Sequence, residues 1–440
     1  LKQWQQPQTK SSRRSRIQDI LVWVRGKWEI LAACDGLTAE WQFIVLALTA
    51  LAVFSRSPSY LTHAQFYAED GRVWYAQAYN GGWLNSVGVP QAGYLNMMPR
   101  LGAGIALLVP LQWAPLIMAI VGLVIQSIPV PVLLSRRLLH WGSLPVRMFL
   151  AAIYVAIPNA SEIHIVMTNS QWHLALIAVL LAFAASPQSW IGRLVDCAML
   201  VLSALSGPFC ILLAPFLLIF WWVRRQPWSL VMFGLVSIGA ATQIAEILHS
   251  THRIQSPLGA TPTIFLRLLG GNVIASALFG SYAFARLAPM MFIVAAALLG
   301  LGICLYCLRF ASLEWRLFLI YCAALYAASL RSPLTQPGAP AWDVLLDLNS
   351  GRYCYFPMLA FVWSAVWCTL VGRHRLFRIA GACVLLTMTV GILRDWSFRG
   401  YTNPSFAASV QRMRDAKPGD HVVVPIVPPG WSMELVKKVP

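Results

Sequence analysis

The feature that most restricts this fold is a series of long apolar runs, each closed by a short cluster of Arg or Lys. Runs near 41–55, 101–135, 145–158, 171–186, 193–206, 208–223, 229–248, 287–308, 314–330, 353–372 and 377–393 are almost free of charge. A helix of about 20 apolar residues crosses roughly 30 Å of hydrocarbon with every backbone polar group satisfied internally. The ten-residue alternation of a transmembrane β-barrel is not seen. Composition points the same way, because 58% of residues are hydrophobic and 11% are charged, against about 25% charged in soluble domains. The sequence therefore predicts an all-α integral membrane protein with about 11 transmembrane helices.

The formal net charge is +17. A nucleic-acid surface would need those cations gathered on one folded face. Here they stand in connectors between apolar runs, the pattern of the positive-inside bias, and nucleic acid is excluded as a partner. Residues 1–40 form a basic amphipathic segment, with Lys10, Arg13, Arg14, Arg16, Arg25 and Lys27 predicting a cytoplasmic N-terminus. No short apolar core precedes a small-residue cleavage site there, so no cleavable signal peptide is expected. The membrane domain spans 41–393, and a small outer tail spans 394–440. Within 101–135, Arg136, Arg137 and Arg147 favour one crossing over two. The outer face then consists of 56–100, 158–170, 249–286, 331–352 and the tail. In the tail, 404–416 reads as a helix, 417–420 as a turn and 421–427 as a strand.

The nine cysteines fall mostly inside apolar runs. They read as small packing residues. Cys304 and Cys307 have metal-ligand spacing but no second pair.

The candidate chemistry starts at His63–Trp74, where Glu69 and Asp70 stand side by side in a chain that otherwise avoids charge. Tyr60, Phe66, Tyr67, Trp74, Tyr75, Tyr79, Trp83 and Tyr94 surround them in the first outer loop. Aromatic faces at headgroup depth suit lipid chains and sugar rings alike. The pattern from Gly71 to Tyr79 is helical and stops at Asn80-Gly81-Gly82, so Asp70 also stands where an N-cap would. Either Asp70 caps that helix, or the pair accepts a proton from a hydroxyl or holds a divalent cation against a phosphate.

A cytoplasmic N-terminus, a first helix and a long outer loop with an acidic pair before an interfacial helix resemble the GT-C class of membrane glycosyltransferases. The string Ala92–Leu101 is similar to a pattern in bacterial members of that class. The resemblance covers 41–393, although its motif is only a few residues long. It implies a polyprenyl-phosphate-linked sugar as donor and a hydroxyl acceptor on a glycan, lipid or protein. It also implies a site on the outer face of the bacterial inner (cytoplasmic) membrane. The catalytic base would be Asp70 with Glu69 as its partner, and Arg72 and Trp74 would line the substrate. A second acidic position of the class would fall on Glu162, with His164 beside it and His173 at the next helix start. The Asp-x-Asp or Glu-x-Asp form common in the class is missing there, which weakens a metal role. Arg352, opening a helix beside Tyr353, is the expected phosphate ligand, because a planar guanidinium can bind two oxygens at once. Arg100, Arg331 and Arg253 stand behind it.

Two other readings compete. A transporter or flippase for a lipid-linked sugar would place ionisable residues at the bilayer midplane and show repeats. An inactive scaffold would use the loop only to bind a partner.

Overall fold

The computed structural model describes residues 34–250, 256–282, 284–334, 339–347, 351–398, 400 and 405–439. The basic segment at 1–33, Arg253 and the Asn403-Pro404 helix start lie outside the described residues.

The chain is mostly helical. The main elements in order are α1 (Ala39–Arg56), α2 (a π-helical turn, Asp70–Tyr75, running into Ala76–Gly81), α3 (Met97–Ala106) and α4 (Ala114–Leu134). Then come α5 (Leu144–Ala156), α6 (Ser170–Ala182), α7 (Trp190–Ala204), α8 (Phe209–Arg224) and α9 (Pro227–His249). They are followed by α10 (Pro262–Phe279), α11 (Met290–Phe310), α12 (Leu313–Arg331), α13 (Gly351–Leu370) and α14 (Arg375–Asp395). The tail contributes α15 (Phe406–Asp415), β1 (His421–Ile426) and β2 (Trp431–Val436). Among the described residues, α4 and α9 to α14 are the seven helices long and apolar enough to cross a membrane. This is a multi-pass membrane protein by helix length and composition.

The bundle has two distinct ends. At one, buried Arg56 at the close of α1 donates to the carbonyls of Val155 (2.7 Å), Ile157 (3.1 Å), Asp395 (2.9 Å) and Trp396 (3.3 Å). Asp395 accepts from Asn159 N (2.8 Å), Ser281 N (2.6 Å) and Ser281 Oγ (2.7 Å). A charge this deep is tolerated only when surrounding dipoles replace its hydration. This network thus ties α1, α5, α10 and α14 together at what we call the site end. At the opposite end Arg137 chelates Asp196 (2.9 and 2.6 Å), and Arg224 pairs with buried Glu314.

The connector expected at 249–286 contains α10, which has spanning length and yet does not pass through the bundle. Trp342 N donates to Leu258 O (2.9 Å) just before it, and Trp342 Nε1 reaches Leu330 O at the close of α12 (2.7 Å). Just after α10, Ser281 meets Asp395. Both ends of α10 therefore sit at the site end. Gly270 and Gly271 bring it against the backbone of Ile293 and Ala285. In the run at 101–135, α4 alone has spanning length, and α3 and a turn lead into it.

The tail differs from the expected single strand. β1 pairs antiparallel with β2, with Val424 opposite Met433, and Pro428–Gly430 turn between the strands. Inward residues alternate along β1, so Val422, Val424 and Ile426 join Phe66, Tyr75, Phe406 and Met433 in one cluster.

Candidate functional site

The tail shapes the segment that carries the acidic pair. Tyr67 makes a parallel bridge to Val427, Ala68 N donates to Val427 O (2.5 Å), and Val427 N donates to Phe66 O (3.1 Å). Ala68 adopts φ +43°, a left-handed conformation that costs a non-glycine residue about 1 kcal/mol or more. That kink turns the chain from the bridge into α2. Gly71 follows because a Cβ there would lie 2.9 Å from Phe66 Cβ and 3.0 Å from Ile426 Cδ1. Trp431 lies under the Arg72 guanidinium (5.4 Å).

Asp70 does not cap its own helix. Glu69, the residue before it, is already helical (φ −64°, ψ −22°) and makes no side-chain cap. The Asp70 carboxylate instead reaches across to the turn before α6. Oδ1 accepts from Thr168 N (2.7 Å) and Thr168 Oγ1 (2.7 Å), and Oδ2 accepts from Met167 N (3.2 Å). Thr168 Oγ1 also accepts from Trp74 Nε1 (2.8 Å). Burial pushes the Asp70 carboxyl up from its usual 3.8 to about 7; the Thr168 and Met167 hydrogen bonds oppose this rise and the Glu69 charge adds to it. A carboxyl with a pKa near neutrality is matched to general-base work.

A second set of polar residues gathers near Tyr67. Glu162 Oε2 accepts from Arg352 N (2.8 Å), and Oε1 meets Arg352 Nη1 (3.1 Å). Glu162 thereby occupies the N-terminal anion position of α13 and takes part of the guanidinium expected to bind phosphate. Arg352 also donates to Leu334 O (3.2 Å) and the Tyr353 hydroxyl (3.4 Å), and its side chain keeps 27% exposure. Burial raises Glu162 and the Arg352 charge opposes this. Burial first, then the Glu162 charge, raises the Tyr67 phenol, and Glu69 adds to it. Tyr94 is likewise raised by burial, beside Gln171, Tyr353 and Arg352. Glu69, Glu162, Arg352, Tyr67, Tyr94 and Tyr353 thus share one electrostatic neighbourhood, with Asp70 next to it.

The remaining candidates stand apart from it. His164 is buried between the rings of Tyr60 (5.5 Å) and Phe398 (5.0 Å), and burial lowers its pKa well below the usual value. His173 bonds Tyr154 Oη (3.0 Å) and Ile163 O (3.0 Å) in the core. Arg100 is buried over the Trp74 ring (4.9 Å) and donates to Gln77 Oε1 (3.1 Å). Asp347 pairs with Arg286 on the surface. Cys307 lies 3.6 Å from Cys368 between packed helices. Among the described residues no three His, Cys, Asp or Glu side chains form a group that could hold a metal.

Sequence reasoning missed Thr168, the main partner of Asp70, and the Arg56–Asp395 network. A charge at the end of an apolar run was the available signal for the latter. For Thr168 no local signal exists, since its role depends on a contact between residues 98 positions apart.

A scan against protein-family models finds no match, and a search of curated proteins finds none either.

Proposed function

We propose that this protein is a membrane glycosyltransferase that moves a sugar from a polyprenyl-phosphate carrier to a hydroxyl acceptor. The observation that carries the reading is a buried carboxylate, Asp70, held by Thr168 and Met167, adjoining in sequence Glu69 and Tyr67, which share an electrostatic neighbourhood with the Glu162–Arg352 ion pair. In the reaction, the acceptor O–H gives its proton to Asp70 and its oxygen bonds to the anomeric carbon. The anomeric C–O bond to phosphate breaks, and its electron pair leaves on the phosphate oxygen. Arg352 neutralises that charge with N–H donors beyond those used by Glu162 and Leu334. Glu69 lies near enough to raise the proton affinity of Asp70, which favours the proton transfer from the acceptor.

The expected orientation supports the same reading. Arg137, Arg147, Arg193, Arg224, Arg225, Arg309, Arg316, Arg373, Arg375 and Arg378 gather at the opposite end, so the positive-inside bias turns the site end outward. On this reading about 11 helices cross, α10 lies along the outer rim, and the bilayer is a bacterial inner membrane. A flippase would need its ionisable groups at mid-depth. Most of the described charged groups stand instead near helix ends, with Asp196 inside α7 paired to Arg137.

The test is reconstituted protein supplied with labelled polyprenyl-phosphate sugars, comparing wild type with Asp70→Asn and Glu69→Gln. Loss of transfer in Asp70→Asn supports the mechanism. Full turnover in both variants removes the acidic pair from it, and carrier movement across the bilayer without sugar transfer would establish a flippase.

A further inference from the structure

The proposed reaction leaves a proton on Asp70, and the partners already described cannot take it away. Thr168 N and Met167 N are donors only, and Thr168 Oγ1 donates to Asp70 while accepting from Trp74 Nε1. A protonated Asp70 therefore carries a buried O–H that needs an acceptor. Beside it lies a cavity of about 20 Å³, room for one water, which takes about 10–15 Å³. Tyr60, His63, Gln65 and Tyr67 line this cavity together with Asp70. Gln65 Oε1 is buried and receives no hydrogen bond among the described residues. His63 is exposed. Thr62 Oγ1 donates its one hydrogen to Pro58 O (3.2 Å), so it accepts from His63 Nδ1 (3.0 Å), and Nε2 is left as the acceptor of the ring. The remaining walls, from α4 and from Ile165 and Val166, add no titratable side chain. Glu69, which also acts on the Asp70 charge, is not in the lining.

We propose that this cavity seats one water that carries the proton from Asp70 to His63, and so to solvent, with Gln65 as the residue that positions it. Its role in turnover rests on the glycosyl-transfer reading, whereas the path itself does not. The water accepts from the Asp70 O–H and donates to Gln65 Oε1 and His63 Nε2, about the three hydrogen bonds usual for a buried water. The Asp70 O–H bond breaks as its proton joins the water. A proton of that water passes to Nε2, which leaves Asp70 as a carboxylate and His63 as an imidazolium. The imidazolium then gives its proton to bulk water at the surface, an exchange suited to imidazole near neutral pH. The phenols of Tyr60 and Tyr67 are too weakly basic to take that part.

The test follows the protonated Asp70 carboxyl by infrared spectroscopy of the full chain in nanodiscs, with the band assigned by its absence from Asp70→Asn. At a pH where the band is half developed, rapid mixing into heavy water reads how fast the carboxyl exchanges its proton. His63→Ala, which removes an exposed ring, should slow exchange by about 10²-fold, the contribution of a positioned base, and added imidazole should restore it. Gln65→Leu should slow exchange by about tenfold, the share of one hydrogen bond in holding the water, and imidazole should not restore it. Exchange as fast as wild type in both variants overturns the proposal, as does a slowing in His63→Ala that imidazole leaves unchanged. If Gln65→Leu fails to fold, His63→Ala decides. In the transfer assay with labelled polyprenyl-phosphate sugars, kcat of His63→Ala should fall at constant KM and recover with imidazole. Slowed and rescued exchange without any transfer by wild type supports the path and refutes the transferase. Transfer by wild type with exchange unaltered in both variants refutes the path and leaves the transferase reading in place.

Discussion

Replacing Asp70 by Asn should change stability with a sign that depends on pH. In the folded protein the carboxyl keeps its proton up to about pH 7, whereas the ordinary value is 3.8. Between those values the native state binds more protons than the unfolded chain, so the stability contributed by this group falls as pH rises through the window. A displacement of about 3 pH units at 1.36 kcal/mol each amounts to about 4 kcal/mol, fully lost above pH 7 to 8. The amide never ionises and avoids that loss. It does, however, present an NH2 group toward Thr168 or Met167, where the carboxylate accepts three hydrogen bonds. That mismatch costs about 1–3 kcal/mol at every pH. The variant should therefore melt below wild type near pH 4 and above it near pH 8. The difference should reach a few degrees at each extreme, since 1 kcal/mol moves Tm by about 2 °C in a chain of this size. Intrinsic tryptophan fluorescence in nanodiscs measures the Tm values. Wild-type kcat/KM should climb with a single-proton limb to a plateau above about pH 7, and the variant should lose about 10²–10⁴-fold. A Tm difference constant from pH 4 to 8, or a wild-type rate flat across that range, would refute the assignment of a raised pKa to Asp70.

Four other substitutions probe separate links. Thr168→Val removes a donor to Asp70 and an acceptor for Trp74; the rate limb should move to higher pH and stability should drop by about 1–3 kcal/mol, read by pH–rate profile and Tm. Arg352→Lys keeps the charge and loses the planar fork, so KM for the polyprenyl-phosphate sugar should rise about tenfold with the limb near pH 7 unmoved; a moved limb at constant KM would mean that Arg352 acts through Asp70. Gly71→Ala drives a methyl onto Phe66 and Ile426, costing about 1–3 kcal/mol and loosening the tail, which should speed trypsin cleavage at Arg412 and Arg414. Asp395→Ala leaves Asn159 N and Ser281 N without their acceptor; a destabilisation of about 3–5 kcal/mol should appear as a lower Tm.

The helices were legible because lipid as solvent forces long apolar runs, and the observed elements track those runs closely. α10 escaped because Gly270-Gly271-Asn272 breaks its apolar pattern. Its return to the same end is a tertiary fact, fixed by Ser281 and Trp342 contacts that no local pattern announces. The second tail strand was hidden behind Pro428-Pro429, which reads as a terminator although it forms the hairpin turn. In the site, residue types at Glu69, Asp70, Glu162 and Arg352 were visible as charges in an apolar chain. Their partners were not, since spacing cannot reveal that Asp70 turns to residue 168 rather than to its own helix. The helix-cap reading of Asp70 failed for that reason.

The bridge from Val427 to Phe66 and Ala68 joins stretches separated by almost the whole membrane domain. During synthesis the first loop leaves the ribosome hundreds of residues before its partner strand does. Until α14 is in place and the hairpin has followed it, Ala68 lacks its bridge partner, and the Met167–Thr168 turn alone holds Asp70. The first loop therefore reaches its final shape last in biogenesis, and a chain stalled after any earlier helix would be inserted without the bridge to the tail.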